Sequence, residues 1–168
     1  MRKKITDQEV EFLDHSNRIE GVYDGDSLAQ AIEAWEFLKS KKRLTIGVVL
    51  KTHKILMLNQ NLAPDEKGYF RKVPVWIGGR EGILHDRIKY VIEEWLGRIN
   101  GTAIIGEDSY IQSRIKAEHV EYERIHPFVD GNGRTGRMFM NWQRLKLGLP
   151  ILVIHEGKEQ QIYYEWFK

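Results

Sequence analysis

The residues of this chain best placed to do chemistry stand together: His126-Pro127-Phe128-Val129-Asp130-Gly131-Asn132-Gly133-Arg134-Thr135-Gly136-Arg137. Pro127 disfavours α geometry at His126, so a helix arriving from upstream must stop there. Gly131 and Gly133 bracket Asn132 where a new helix begins, which lets successive backbone N–H groups converge. Those N–H groups lack intrahelical partners and lie at the positive end of the helix dipole, so they form a phosphate-sized anion site. Arg134 and Arg137 stand three apart on the first turns and can reach toward the same end, where guanidinium forks match phosphate oxygens. A carboxylate at Asp130, beside a polyphosphate, suits Mg²⁺. His126, with an ordinary pKa of about 6.5, can take a proton near neutral pH. A base, a metal anchor, an oxyanion cradle and two clamps in one loop outline phosphoryl or nucleotidyl transfer. A loop that only turned the chain would require neither the histidine nor both arginines.

The elements that must position this loop read as mostly helical. Thr6-Asp7-Gln8-Glu9 is a capping box opening a helix that Gly21 can close. Ser27 to Gln30 is a second helix start, ahead of Leu28, Ile32, Trp35 and Leu38 at helical spacing. A third helix carries Ile46, Val49, Leu50, His53 and Met57, a fourth Ile88, Val91, Ile92, Trp95 and Ile99, and a fifth runs from Ser109 to Arg124. Pro64 to Gly79 breaks the rhythm; its β-branched and aromatic residues around Tyr69 to Arg71 and Val73 to Ile77 predict a short hairpin. The helix from Asn132 runs to Leu147, with Gly148 at its C′ position and Pro150 beyond. An amphipathic turn or two with Ile162, Tyr163, Trp166 and Phe167 follows. The expected fold class is all-α, a single compact helical domain with one small hairpin.

Composition sets the bounds. The 168 residues are 42% hydrophobic and carry 18 aromatic side chains, enough for a real core. A net charge of +2 is far from what a phosphate-backbone tracker requires, so no nucleic-acid partner is expected. There are no cysteines, hence no disulfide framework and no thiolate metal site. The basic N-terminus is not followed by an apolar signal region, and no apolar run is long enough to span a bilayer. The expectation is a cytoplasmic protein away from membranes. His15, His53, His85, His119 and His155 read as structural or surface residues, His119 as packing support for the histidine helix, and Lys39 to Arg43 as a solvated helix end.

Residues His126 to Arg137 match His-Pro-Phe-x-Asp/Glu-Gly-Asn-Gly-Arg-x-x-Arg at every fixed position, and the chain therefore resembles the Fic family of the Fido superfamily. Ile125, Asn141 and Leu145 extend the likeness, Gly68 to Gly79 looks like the family's flap, and Gln161 to Glu165 its Tyr-Tyr helix. The resemblance implies a Fic-type helical bundle and transfer of AMP from ATP, with Mg²⁺, to a Ser, Thr or Tyr hydroxyl of a target protein. It implies His126 as the base, Asp130 as the Mg²⁺ anchor, and Gly131, Asn132 and Gly133 as the phosphate cradle, Asn132 adding its amide. Arg134 and Arg137 would bind the outer phosphates, with Thr135 and Gly136 on the same ATP-binding turn. Ile77, Gly78, Gly79, Arg80, Tyr163 and Tyr164 would line the nucleoside pocket. Tyr69, Phe70, Arg71, Val73 and Val75 would dock an extended target segment by strand addition, the chain itself being one candidate target.

Ser16-Asn17-Arg18-Ile19-Glu20-Gly21 resembles the family's inhibitory motif. Ser16 and Glu20 are four apart, on one helix face, and the resemblance implies an ion pair between Glu20 and Arg137 that takes the clamp from ATP. On this reading residues 1–24 form an inhibitory helix ahead of a core of residues 25–168, as in class II-like members. Three alternatives stay open: removal of AMP from a modified target, use of another nucleotide, or a non-catalytic nucleotide-binding regulator.

Overall fold

A computed structural model describes residues 4–101 and 105–168; the basic Met1-Arg2-Lys3 start lies outside the described residues. Its helices are α1 (Asp7–Ile19), α2 (Gly25–Lys39), α3 (Ile46–Leu56), α4 (Ile88–Asn100), α5 (Asp108–Ile125), α6 (Asn132–Lys146) and α7 (Lys158–Tyr164). Two short strands, β1 (Trp76–Ile77) and β2 (Arg80–Glu81), pair antiparallel, Trp76 opposite Glu81 and Ile77 opposite Arg80. The all-α expectation with one hairpin holds.

Thr6 caps α1 in a full capping box: its side chain accepts from Glu9 N–H at 3.2 Å, and Glu9 accepts from Thr6 N–H at 2.8 Å. The second helix starts earlier than Ser27. Asp24 is the cap and accepts from Ser27 N–H at 2.8 Å, so Ser27 belongs to the first turn. The hairpin is also displaced. Tyr69 to Val75 is irregular, and the strands flank a Gly78-Gly79 turn with φ values of 55° and 80°. Glycine adopts that left-handed region without a Cβ clash, which fixes where the chain reverses.

The interior is built around α6. Twelve of its positions, from Asn132 to Arg144, are buried, so it is a central helix and not an amphipathic surface one. Two of its polar side chains are tied to the segment that follows the helix. Asn141 donates to Leu152 C=O at 3.0 Å and accepts from Leu152 N–H at 2.8 Å, and Arg144 Nε donates to Pro150 C=O at 2.8 Å. Phe12 and Leu13 of α1 join Trp35, Leu38, Trp95, Tyr122 and Phe139 in one core. Phe12 meets Trp35 edge to face at 5.4 Å. Helix α1 therefore shares one core with the helices that follow it. Fully burying each such side chain contributes about 1.5–3 kcal/mol, so α1 is a structural member of the bundle. No described helix is long and apolar enough to cross a membrane.

Candidate active site

The end of α5 sets the first functional group. His126 is its C-cap, with φ 49° and ψ 63°, and it is the sole non-glycine residue at positive φ among the described residues. The cost of that conformation, on the order of 1 kcal/mol, is held in place by three backbone contacts. His126 N–H donates to Tyr122 C=O at 3.1 Å. Its carbonyl accepts from Arg71 Nε at 2.7 Å, and Arg71 N–H donates to Pro127 C=O at 2.9 Å. The ring is fixed too. Nδ1 lies 3.2 Å from Glu123 C=O. A carbonyl only accepts, so Nδ1 carries the proton and Nε2 of the neutral ring holds the free lone pair. Burial holds the His126 pKa below the ordinary histidine value, with the Arg71 guanidinium adding to that effect.

The loop between His126 and α6 is braced from both sides. Asn132 accepts from Phe128 N–H and donates to Phe128 C=O, both at 2.9 Å. Its amide is thus turned inward and stabilises the loop; the expectation that it would reach a phosphate does not hold. His53 of α3 stacks on Phe128 with ring centroids 3.7 Å apart. Its Nδ1 accepts from Gly68 N–H at 2.9 Å, so Nε2 is the protonated nitrogen and donates to Asp130 C=O at 2.8 Å. Burial pushes its pKa down to about 4. His53, expected to be structural or at the surface, is structural and fully buried; its place on the apolar face of α3 is the signal that it finds buried partners. Gly131 caps α6 at φ 84°, and a Cβ there would meet Met57 Sδ at 2.8 Å and His53 Nε2 at 3.3 Å.

Of the two arginines expected to point together, only Arg137 reaches the cavity. Arg134 is buried toward the other side, its Nη1 donating to Gln60 Oε1 at 3.1 Å and its Nη2 3.6 Å from Asp130 Oδ2. Asp130 is exposed; Oδ1 accepts from Gly131 N–H at 2.6 Å, and Oδ2 has only that long arginine contact. An exposed hard oxygen beside an anion site fits a magnesium ligand. Thr135 and Gly136 do not line the cavity that holds Arg137. Thr135 Oγ1 is buried between Tyr122 Oη at 2.8 Å and Gly131 C=O at 2.9 Å, while Gly136 packs against Glu123, His119 and Tyr122 of α5.

Arg137 is almost wholly buried, and its fork is largely occupied. Nε donates to Ser16 Oγ at 2.9 Å, and Nη2 donates to Ser16 C=O at 2.9 Å and Glu20 Oε1 at 2.7 Å. Nη1 donates to Tyr163 Oη at 3.3 Å, and that hydroxyl lies 2.8 Å from His119 Nε2. Burial opposes the charge of Arg137, but Tyr163, Glu20 and Glu123 together outweigh it and raise its pKa. Glu20 is not on the helix as expected: α1 ends at Ile19 and Glu20 is its C-cap. From there its carboxylate sits directly against Gly133, where even a methyl group would collide with it. It lies against the first turn of α6. Beneath lies Glu123, unmentioned by the sequence reading. Its Oε1 is buried with no hydrogen-bond partner, and burial pushes its pKa up to about 7 against the pull of Arg137.

A cavity of about 950 Å³ joins these groups: Glu20, His126, Gly133 and Arg137 on one side, and Ile77, Gly78 and Arg80 of the hairpin with Tyr163 and Tyr164 of α7 on the other. Gly79, at the exposed tip, does not line it. Tyr163 contributes as a buried anchor of Arg137, while Tyr164 is exposed. The docking residues divide. Tyr69 and Val73 are exposed, as is Trp76, which the sequence reading left out. Phe70 packs against the core. Arg71 is a buried brace: besides His126 it donates to Val73 C=O at 2.9 Å and Ile83 C=O at 2.6 Å, tying both arms of the hairpin to the loop.

Comparison with known proteins places the chain. The model of the Fic/DOC family matches residues 43–143. "Protein adenylyltransferase Fic" of Drosophila grimshawi is 28% identical over 134 residues, 76% of this chain and 26% of the relative. The Drosophila erecta protein of the same name is 29% identical over 164 residues, 90% of this chain and 29% of the relative. The chain thus spans about a quarter of the length of these curated relatives. Among solved structures, a Fic domain containing signaling protein from Bacteroides thetaiotaomicron superposes with a TM-score of 0.76 at 19% identity, covering 93% of this chain and 69% of that one. Fic-1 from C. elegans gives 0.75 at 19% identity, covering 96% and 55%. At that identity the likeness carries the fold.

Proposed function

The chain belongs to the Fic/DOC family, and on that footing we propose that it is a protein adenylyltransferase held in check by its own Glu20. One observation carries the reading: a single cavity is lined by His126, Gly133, Arg137 and the carboxylate of Glu20. ATP would lie with its phosphates over the first turn of α6 and its nucleoside toward Ile77, Arg80 and Tyr164. His126 Nε2 takes the proton of a target Ser, Thr or Tyr hydroxyl. The hydroxyl oxygen bonds the α-phosphorus, the bond to the bridging oxygen breaks, and pyrophosphate leaves. Asp130 would hold Mg²⁺, which when bound supplies charge neutralisation between phosphates. Exposed Tyr69, Val73 and Trp76 give an extended target segment a surface beside the hairpin, and a cytoplasmic location would supply ATP.

Glu20 would brake the reaction by holding Arg137 and by filling the anion position over Gly133. In this view residues 1–24 are the inhibitory element, acting from inside the core. A triphosphate must displace that carboxylate before its outer phosphates can be clamped. The Glu20→Gly variant is therefore expected to incorporate label from ATP labelled at the α-phosphate, by at least about tenfold over the parent chain. Label from the γ-phosphate would indicate phosphorylation instead, and equal labelling of parent and variant would remove the brake from the account. A second reading draws on the same carboxylate. Glu20 shares its cavity with His126, so it could orient water toward an AMP-modified target and reverse the transfer; release of AMP by the parent chain but not by Glu20→Gly would support it.

A further inference from the structure

Away from this cavity, α1 presents a second group of ligand-bearing side chains. Glu11 and His15 are four apart and so share a face of the helix. They meet His155, in the segment leading into α7. His155 Nε2 lies 2.7 Å from Glu11 Oε1, and the His15 and His155 rings stand edge to face at 4.6 Å. One ligand atom from each of Glu11, His15 and His155 lies within 4.8 Å of the others, the one such cluster among the described residues. The other nitrogen of His155 is held as well. Nδ1 lies 2.8 Å from Glu159 Oε2, whose carboxylate also accepts His155 N–H at 2.9 Å.

We propose that Glu11, His15 and His155 form a binding site for a divalent transition-metal ion, zinc foremost, that clips α1 to the approach of α7. Two imidazoles and one carboxylate are a zinc ligand set with a position left for water. Imidazole ligands argue against magnesium and calcium, which prefer all-oxygen shells. Glu159 stands where an outer-sphere carboxylate stands in a carboxylate–histidine–zinc arrangement, fixing the ring and raising its basicity. Ligand atoms on a tetrahedral zinc are roughly 3.3 Å apart, from metal–ligand bonds of about 2.0–2.1 Å. The three ligand atoms, within 4.8 Å of one another, must therefore shift by at most about 1.5 Å. Binding replaces the proton now shared between His155 Nε2 and Glu11, which is released to solvent.

The location gives the site a consequence. Its two anchors are α1, which carries Ser16 and is capped by Glu20, and the segment that leads to Tyr163; Ser16, Glu20 and Tyr163 all hold Arg137. A bound ion adds a tie between those elements. The test is a zinc titration of the untagged full chain by calorimetry, repeated on His15→Ala, His155→Ala and Glu11→Gln. One ion per chain is expected, with each variant at least about tenfold weaker, and Asp130→Ala binding like the parent. Cobalt substituted for zinc should give the visible bands of a low-symmetry site, lost in His155→Ala. Zinc should also slow amide exchange across α1 in the parent and not in His155→Ala. Absence of stoichiometric binding, or unchanged affinity in the double variant His15→Ala/His155→Ala, would overturn the site. None of these readings depends on AMP transfer, so the two proposals fail separately.

Discussion

The loop from His126 to Arg137 and the hairpin facing it line one cavity but are built in opposite ways. The loop is held by buried and part-buried bonds along its length: Arg71 and Glu123 on His126, Asn132 on Phe128, His53 on Asp130, and Tyr122 on Thr135. The hairpin is two residues per strand, with Trp76 71% exposed and open space where a Cβ would stand at both turn glycines. Groups that move protons and hold phosphate need fixed positions, whereas a surface that pairs with another chain needs open backbone edges. On the proposed function, the fixed part of the chemistry would lie in the loop and partner choice in the hairpin.

Breaking Arg71 strikes both regions at once and should have the largest effect. Its guanidinium serves carbonyls of His126, Val73 and Ile83, and Arg71→Met leaves all of them unpaired. A loss of about 3 kcal/mol or more is expected in urea unfolding; a change under about 1 kcal/mol would mean that the loop does not depend on this brace. The next test uses pH. His53 is held to about 4 when folded, against about 6.5 unfolded. Between those values the unfolded chain binds more protons, so stability falls as pH drops from about 6.5 toward 4 and levels below that. Its contribution is up to roughly 3 kcal/mol, and His53→Phe, which keeps a ring against Phe128, should flatten the slope. A slope unchanged in that variant would place the titration elsewhere. The smallest effect on stability belongs to the hairpin: Trp76→Ala should shift unfolding by within roughly 0.5 kcal/mol while weakening transfer to a protein target. A large loss of stability would show the hairpin to be part of the core.

These contrasts also mark how much the sequence disclosed. Helical spacing placed the helices around α6, because each buries one face against neighbours, and the Thr6 box and Gly148 set two of the ends within a residue. The loop motif was legible because its chemistry is local. What failed depended on contacts far apart in sequence. Arg71 looked like a docking residue in an extended stretch, yet 55 positions separate it from the carbonyl it holds. Arg134 and Arg137 share a helix turn, but Gln60 draws one away and Ser16 and Glu20 draw the other. Nothing local distinguishes Glu123 from a solvated helix residue, although its Oε1 is buried and its pKa is pushed up. The hairpin slipped toward Gly78-Gly79 because the turn's positive φ, and not β-branched content, decides where strands meet.

The central claim is that the His126 imidazole deprotonates a hydroxyl over a phosphate site that Glu20 otherwise fills. The most direct test is the rate of incorporation of α-labelled AMP in Glu20→Gly compared with Glu20→Gly/His126→Ala. The account predicts ready labelling in the first and a fall of at least about 100-fold in the second; equal rates in the two would contradict it.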